Sequence, residues 1–215
     1  MPFELQPATP ADAPEMTDVF FKAFTNPFIR AAFPDTDNMR KWFIQMFTKS
    51  IEQMEAGESD EVFFKVVEVD DQQRNQQPRI AAFSQWKLPA QTASESSRKT
   101  DKKESESVWP EFCNQELCRR LFGILAARRE KFMGDRPYLY LDTLVTAPEY
   151  QGRGCASLLL KWGISRADEQ GVELYLSASP VGRPIYEKYG FRVLDAEEIY
   201  PQYTETYMLR QSSRR

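Results

Sequence analysis

Glycine and small side chains at residues 151–157 offer the clearest chemistry in the sequence. Gly152 and Gly154 stand just before apolar residues at helical spacing, which predicts a helix from Ser157 onward. The first N–H groups of a helix have no partner within it, and the helix dipole makes that end partly positive. Because glycine has no side chain, a phosphate can reach these groups. We therefore predict a pyrophosphate cradle at residues 151–157, with Arg153 adding charge at its rim.

Two common phosphate-binding motifs do not fit this turn. The dinucleotide fingerprint G-x-G-x-x-G requires glycine where Ser157 stands, and it normally follows the first strand of its domain. The ATP-type loop G-x-x-x-x-G-K-[ST] is absent from the sequence. The hypothesis of a nucleotide-binding regulatory domain is therefore supported by the glycine turn alone, and it is the least favoured class of function.

A different pattern does fit, namely Q-x-x-G-x-A preceded by a valine and a proline. It resembles the acyl-CoA-binding motif of the GNAT superfamily of N-acyltransferases. Its residues are Val145, Pro148, Gln151, Gly154 and Ala156. Downstream, residues 182–191 (GRPIYEKYGF) are similar to the A-x-x-[LF]-Y-x-x-x-G-F segment of the same family. The two motifs occur in the expected order, and the clear resemblance covers residues 139–193.

The resemblance implies a reaction and a set of binding residues. An amine attacks the thioester of acetyl-CoA directly, without a covalent enzyme intermediate and without a metal. The pantetheine arm is expected to pair with the backbone of the strand that precedes the turn, where a neighbouring strand splays away. The residues expected to contact the acyl donor are Leu144, Val145, Thr146, Gln151, Gly152, Arg153, Gly154, Cys155, Ala156, Ser157, Ser179 and Tyr186.

Three residues are candidates for the chemical steps. By resemblance, the N–H of Val145 stabilises the oxyanion and the phenol of Tyr186, with an ordinary pKa near ~10, protonates the leaving thiolate. The identity of the general base is left open. The chain has no histidine, so the base must be a carboxylate, a tyrosine or bulk water that acts through a relay. Asp142 lies inside the apolar strand YLYLDTLV, where an unpaired carboxylate is costly. It is expected to pair with a cation, to take a structural hydrogen bond, or to face the acceptor amine as base.

The acceptor amine is not named by the motifs. An acidic balance and two aromatic N-terminal helices, which cover the acceptor site in the family, favour a small-molecule amine. Protein lysines or N-termini form the second acceptor class. A module that binds acyl-CoA without turnover is a further alternative, against which Tyr186 and the unbroken turn argue.

Seven strands and the helices between them must position these residues. The predicted strands are residues 3–7, 61–70, 79–88, 138–146, 172–178, 191–194 and 203–210. The first predicted helix follows a cap at Thr9 or Asp12. Further helices are predicted at residues 38–56, 109–133, from 157 onward and at 183–189. In the helix at 109–133, the residues expected on the solvated side are Arg119, Arg120, Arg128, Arg129 and Lys131. Residues 26–37 are expected to be a connection, 70–78 a polar hairpin turn, and 89–107 a flexible polar insertion.

These elements predict an α/β (α+β) chain with one domain over residues 1–215. The resemblance adds the GNAT fold: a mixed, mostly antiparallel sheet of about six to seven strands, splayed at the centre, with helices on both faces.

Composition restricts the remaining possibilities. The net charge is −4 and 41% of residues are hydrophobic, so we expect a real core and no general attraction to nucleic acid. Three cysteines without metal spacing, and no histidine, argue against a zinc site. The N-terminus lacks a signal-peptide pattern, and no apolar run is long enough to span a membrane. The sequence thus predicts a cytoplasmic protein, either a monomer or a homodimer.

Overall fold

The computed structural model describes residues 3–69, 79–89 and 109–213. The predicted hairpin turn at 70–78 and nearly all of the predicted insertion at 89–107 lie outside the described residues. The strands are β1 (Phe3–Pro7), β2 (Glu61–Glu68), β3 (Ile80–Lys87), β4 (Tyr138–Thr146), β5 (Glu173–Ala178), β6 (Arg192–Tyr200) and β7 (Tyr203–Arg210). The α-helices are α1 (Ala13–Ala23), α2 (Pro27–Ala32), α3 (Asp37–Glu55), α4 (Gln115–Met133), α5 (Cys155–Gln170) and α6 (Arg183–Lys188).

The strands form a seven-stranded sheet in the order β1-β2-β3-β4-β5-β7-β6. Antiparallel pairing joins β1 to β2, β2 to β3, β5 to β7 and β6 to β7, whereas β4 and β5 are parallel. This confirms the predicted mixed, mostly antiparallel sheet. The β6 strand is longer than residues 191–194, because all of it pairs with β7.

The chain divides into two compact units, and each contains part of the predicted site. The first unit comprises Met1–Thr25, Asp35–Lys87 and Asp142–Ser165. The second unit comprises Asn26–Pro34, Leu88–Leu141 and Arg166–Arg215. The prediction of one domain over residues 1–215 stays a prediction.

In the first unit, an aromatic core packs α1 and α3 onto the sheet. Phe43 of α3 contacts Phe20 and Phe21 of α1, and Phe47 contacts the ring of Phe83 on β3. The entry to α1 is fixed by a capping box, in which the carboxylate of Asp12 accepts hydrogen bonds from the N–H and hydroxyl of Thr9. The expected cap at this position is therefore confirmed.

The same unit holds α5 close to the sheet. Trp86 of β3 is fully buried, and a Cβ added to Gly163 of α5 would lie 2.2 Å from its ring. Trp162 packs on the Trp86 ring and on Phe64 of β2. Because Gly163 has no side chain, the helix backbone reaches the indole, and this close approach fixes where the N-terminus of α5 can lie.

In the second unit, α2 was not predicted, since residues 26–37 were expected to be a connection. The Asn26 side chain accepts a hydrogen bond from the N–H of Ile29 at 2.9 Å, and Pro27 takes the first helical position. Asparagine followed by proline is a typical start of a helix, so the signal was present. α4 begins later than residue 109, because Asn114 caps it through the N–H of Leu117.

The second correction in this unit concerns arginines of α4, which the sequence placed on a solvated face. The Arg129 side chain is only 3% exposed and its guanidinium lies over the ring of Tyr140. Arg128 binds the carboxylates of Asp195 and Glu197 on β6. Both side chains therefore pack against the sheet, which the alternation of charge along the helix did not reveal.

Candidate functional site

The glycine turn of the first unit has the conformation that a phosphate cradle needs. Gly152 and Gly154 have φ angles of 73° and 91°, a region that residues with a side chain rarely adopt. A Cβ at either position would meet no atom within 4 Å, and residues 151–154 are all exposed. Glycine is therefore required by the backbone conformation, and open space lies above the turn.

The turn leads directly into α5, which begins at Cys155 rather than at residue 157. The N–H of Ser157 bonds the carbonyl of Gly154 at 3.0 Å, and this is where main-chain bonding of the helix starts. The N–H groups before it belong to the first turn, which has no acceptor within a helix. The Cys155 side chain is buried, and burial raises the pKa of its thiol. Cys155 can therefore face a ligand through its main chain alone.

Side chains around the turn hold it in place. The Gln151 amide donates to the carbonyl of Thr146 at 3.2 Å, which ties the turn to the end of β4. Arg153 pairs with Glu68 at 2.9 Å and its guanidinium stacks on Phe3 and Tyr150. Arg153 thus lies at the rim as expected, but Glu68 offsets part of its charge.

The two halves of β4 differ in what they pair with. Parallel pairing with β5 runs from Tyr138 opposite Glu173 to Leu141 opposite Leu176. Beyond that point, Leu144, Val145 and Thr146 lie in the first unit, and the register with β5 does not include them. The hydroxyl of Thr146 is buried without a hydrogen-bond partner in the described part of the chain. This end of β4 therefore carries polar groups that a ligand can use.

Asp142 lies at the point where the pairing of β4 with β5 has ended. It is half-buried rather than fully buried, and within the described residues no cation forms an ion pair with it. Its neighbour Glu61 has a raised pKa, chiefly because of burial, and the charge of Asp142 adds to this while that of Lys87 opposes it. Lys87 lies 3.7 Å from Glu61. Asp142 thus belongs to a polar cluster of like and unlike charges.

In the second unit, the loop before α6 positions Tyr186. The hydroxyl of Ser179 accepts a hydrogen bond from the N–H of Gly182 at 3.1 Å, which shapes the entry to the helix. A Cβ at Gly182 would lie 3.3 Å from the Tyr186 ring, so glycine lets the ring lie close to the loop. The ring also packs edge-on against Phe191. Ser179 therefore positions the helix that carries Tyr186.

The phenol of Tyr186 stays protonated in this environment. The residue is 6% exposed, and burial, reinforced by the charge of Glu205, raises the pKa of its hydroxyl well above the ordinary value. Within the described residues, no hydrogen bond to this hydroxyl is found. A neutral phenol without an acceptor can donate its proton to a group that arrives.

Glu205 is a functional candidate that the sequence reasoning missed. It lies on β7, is 7% exposed, and burial raises the pKa of its carboxyl to about 7, although a hydrogen bond with Tyr203 opposes this. The signal was the segment Tyr203–Tyr207 (YTETY), in which one acid stands between two tyrosines on the same face of a strand.

Neither a metal-binding cluster nor a membrane-spanning helix occurs in the described residues. Across residues 3–69, 79–89 and 109–213, no cluster of three or more His, Cys, Asp or Glu side chains could hold a metal ion. No helix in that part of the chain has the length and apolar character needed to cross a membrane.

Curated relatives match part of the chain. A protein described as an acetyltransferase from Stachybotrys chartarum is 30% identical over 80 residues, which is 36% of this chain and 34% of that protein. The uncharacterized N-acetyltransferase YafP of Escherichia coli is 38% identical over 60 residues, or 28% of this chain and 37% of its own length. The match thus spans only about a third of each relative.

Solved structures match nearly the whole chain at low identity. Arylalkylamine N-acetyltransferase 2 from Aedes aegypti has a TM-score of 0.69 at 10% identity, covering 98% of this chain and 99% of that one. A histone acetyltransferase HPA2 and related acetyltransferase from Corynebacterium glutamicum has a TM-score of 0.61 at 20% identity, covering 100% and 99%. PaiA N-acetyltransferase from Thermoplasma acidophilum, solved with coenzyme A, has a TM-score of 0.58 at 14% identity, covering 98% and 99%. These likenesses show the fold.

The family model that matches the chain describes an acetyltransferase (GNAT) domain and covers residues 90–205, more than half of the sequence. That range includes the glycine turn, α5, β5 and Tyr186. The chain therefore belongs to the GNAT acetyltransferase family.

Proposed function

We propose that this protein transfers the acetyl group of acetyl-CoA to the primary amine of a small molecule, by direct attack of the amine on the thioester. The observation that carries the proposal is the exposed turn at residues 151–154 with its two left-handed glycines at the start of α5. An anion at a helix N-terminus gains from the free N–H groups and from the dipole. The pyrophosphate of CoA is an anion of this kind.

The donor side of the site needs mainly backbone groups. The N–H groups at Gly152, Gly154 and Cys155 would hold the pyrophosphate, and Arg153 would contribute what charge Glu68 leaves free. The motif also predicts that Gln151, Ala156 and Ser157 contact the acyl donor. The end of β4 would take the pantetheine arm, with the buried hydroxyl of Thr146 as an available partner.

The chemical step requires an oxyanion donor and an acid. The N–H of Val145 would stabilise the negative charge that develops on the carbonyl oxygen. Tyr186 would protonate the departing thiolate, since its phenol is neutral and without a hydrogen-bond acceptor in the described residues. Asp142 is one candidate for the base, since its half-buried carboxylate has no ion-pair partner in the described residues.

A small-molecule acceptor is supported by the charge of the chain and by its structural neighbours. The net charge of −4 suits a cationic amine better than an acidic acceptor. Arylalkylamine and polyamine N-acetyltransferases share the fold with TM-scores of 0.69 and 0.62. A histone acetyltransferase HPA2 and related acetyltransferase from Corynebacterium glutamicum shares the fold, so protein lysines stay the second class of acceptor.

The proposal is tested by the release of free CoA thiol from acetyl-CoA with a panel of alkyl amines, aryl amines, polyamines and lysine peptides. We expect release that depends on one class of small amine, and a loss of about 10²-fold in kcat with Tyr186→Phe. Tight CoA binding without amine-dependent release would favour a binding module. Absence of CoA binding would refute the proposed cradle, and competition by adenine nucleotides would restore the nucleotide-binding alternative.

A further inference from the structure

The carboxylate of Glu205 is buried in the second unit without a cation. Its side chain is 7% exposed, and no cation is among the groups that stabilise it in the described part of the chain. The group that does stabilise its charge there is the hydroxyl of Tyr203. A buried carboxylate with a single neutral partner costs free energy, so a structural role alone explains it poorly.

Three tyrosines lie within reach of the charge of this carboxylate. Tyr203 and Tyr207 flank Glu205 on the same face of β7, two residues to either side. The charge of Glu205 acts on both of them and on Tyr186 of α6, raising the pKa of each hydroxyl together with burial. Tyr203 also bonds Ser179, whose hydroxyl shapes the entry to α6. The charge of Glu205 therefore acts on the proposed acid, although no hydrogen bond joins the two within the described residues.

Charged groups on the adjacent elements are engaged elsewhere. Glu197 of β6 is opposite Glu205 in register, and its carboxylate binds Arg128 of α4. On α6, Arg183 pairs with Glu187 at the surface. On the other side, β5 places the uncharged Ser177 and Ala178 opposite Tyr207 and Thr206. Among the described residues, no cation thus stabilises the charge of Glu205, and a cationic group from outside the chain would be its natural partner.

We propose that Glu205, rather than Asp142, receives the proton of the acceptor ammonium, with Tyr203 holding the carboxylate in place. This inference rests on the proposed N-acetyltransferase function. A base works best when its pKa lies near the working pH, and that of Glu205 is about 7. Asp142 is half-buried and belongs to the polar cluster of Glu61 and Lys87, whereas Glu205 has no cation beside it in the described residues.

The proton balance is complete with the groups named. Glu205 takes one proton from the ammonium, and the free amine forms a C–N bond to the thioester carbonyl. The C–S bond breaks and its electron pair goes to sulfur, which takes a proton from Tyr186. The acylated nitrogen then returns a proton to the Tyr186 phenolate, and Glu205 releases its proton to water. The products are the amide and free CoA.

The test is the pH dependence of amine-dependent CoA release in wild type, Glu205→Gln and Tyr203→Phe. We expect Glu205→Gln to lower kcat by about 10²-fold and to abolish an acidic limb that wild type shows with a midpoint near neutral pH. Tyr203→Phe removes the contact that favours the charged carboxylate, so its limb moves to higher pH. This second variant carries the test if Glu205→Gln does not fold.

Glu187→Gln is the matched control, because it removes an exposed carboxylate from α6 and should leave kcat and the pH profile unchanged. Asp142→Asn tests the rival base. A Glu205→Gln enzyme with wild-type kcat and limb, or a Tyr203→Phe enzyme with an unmoved limb, would overturn the assignment. A wild type with no amine-dependent CoA release would instead refute the proposed function itself, so the two failures are distinguishable.

Discussion

Glu205→Gln should stabilise the protein relative to wild type, and this gain in stability should be larger at neutral pH than at acidic pH. The substitution keeps the shape of the side chain but removes its charge. In the folded protein the pKa of Glu205 is about 7, whereas an ordinary glutamate has a pKa of 4.5. The folded state therefore holds a proton that the unfolded chain has already lost. Stability of the wild type falls as pH rises from 4.5 through 7, and the full penalty is present above pH 7.

The size of the effect follows from the two pKa values. Their separation corresponds to roughly 3 kcal/mol of unfolding free energy, since each tenfold change in proton affinity is worth about 1.4 kcal/mol. The glutamine variant is free of this penalty. The difference in unfolding free energy between variant and wild type should therefore grow by roughly 3 kcal/mol, in favour of the variant, between about pH 4 and about pH 8.

Urea unfolding followed by tryptophan fluorescence measures this difference at each pH, because the chain has four tryptophans. Glu187→Gln, at an exposed position, should show a difference from wild type that is the same at both ends of the range. A Glu205→Gln difference that stays constant within about 0.5 kcal/mol would show that the folded protein does not hold this proton, and the reasoning on burial would be wrong.

Three further predictions test other parts of the structure, two of them with a matched control substitution. Gly154→Ala should weaken CoA binding at least about tenfold, as measured by calorimetry. Gly171 has a similar left-handed φ of 67° at the far end of α5, so Gly171→Ala should lower stability but leave the affinity for CoA unchanged. Equal losses of CoA affinity in the two variants would argue against the cradle. Gly163→Ala should destabilise the fold by about 1 to 3 kcal/mol, because its Cβ would meet a buried indole. Gly123 has open space around it, so Gly123→Ala should stabilise the fold by about 0.5 to 1 kcal/mol in thermal unfolding. A Gly163→Ala protein as stable as wild type would contradict the packing of α5 on Trp86. Asp168→Asn should lower the free energy of unfolding by about 2 kcal/mol at neutral pH, because two hydrogen bonds from Arg210 stabilise this carboxylate and lower its pKa. The loss of stability should shrink below about pH 4. A loss that persists there would exclude the ion pair as its cause.

The glycine turn of the proposed donor site was predictable because its determinants are local. The bounds of β4 agree with the prediction, and the turn at Gly152 and Gly154 has the left-handed backbone that only glycine adopts readily. Such positions depend on φ and ψ of a few consecutive residues. The sequence therefore contains the information in one place.

The remainder depends on residues far apart in the chain. Arg129 was expected in solvent, yet it lies over Tyr140, because the packing of α4 on the sheet is not encoded in the helix itself. α2 was missed although Asn26 and Pro27 signal its start, since six residues are too few to show an apolar period. For α2, the capping residues therefore predict the helix better than the apolar periodicity does.

Asp142 and Glu205 show why a base cannot be assigned from strand pattern. Each is a single acid among apolar and aromatic residues of a strand, so the sequence gives both the same cost of burial. Asp142 was the predicted candidate because it is the acid inside the apolar strand YLYLDTLV. In the folded chain Asp142 is half-buried, whereas Glu205 is 7% exposed and its charge acts on phenols of β7 and α6. Burial raises the pKa of the Glu205 carboxyl to about 7, and this burial involves residues far away in the chain, so the strand pattern alone does not reveal it.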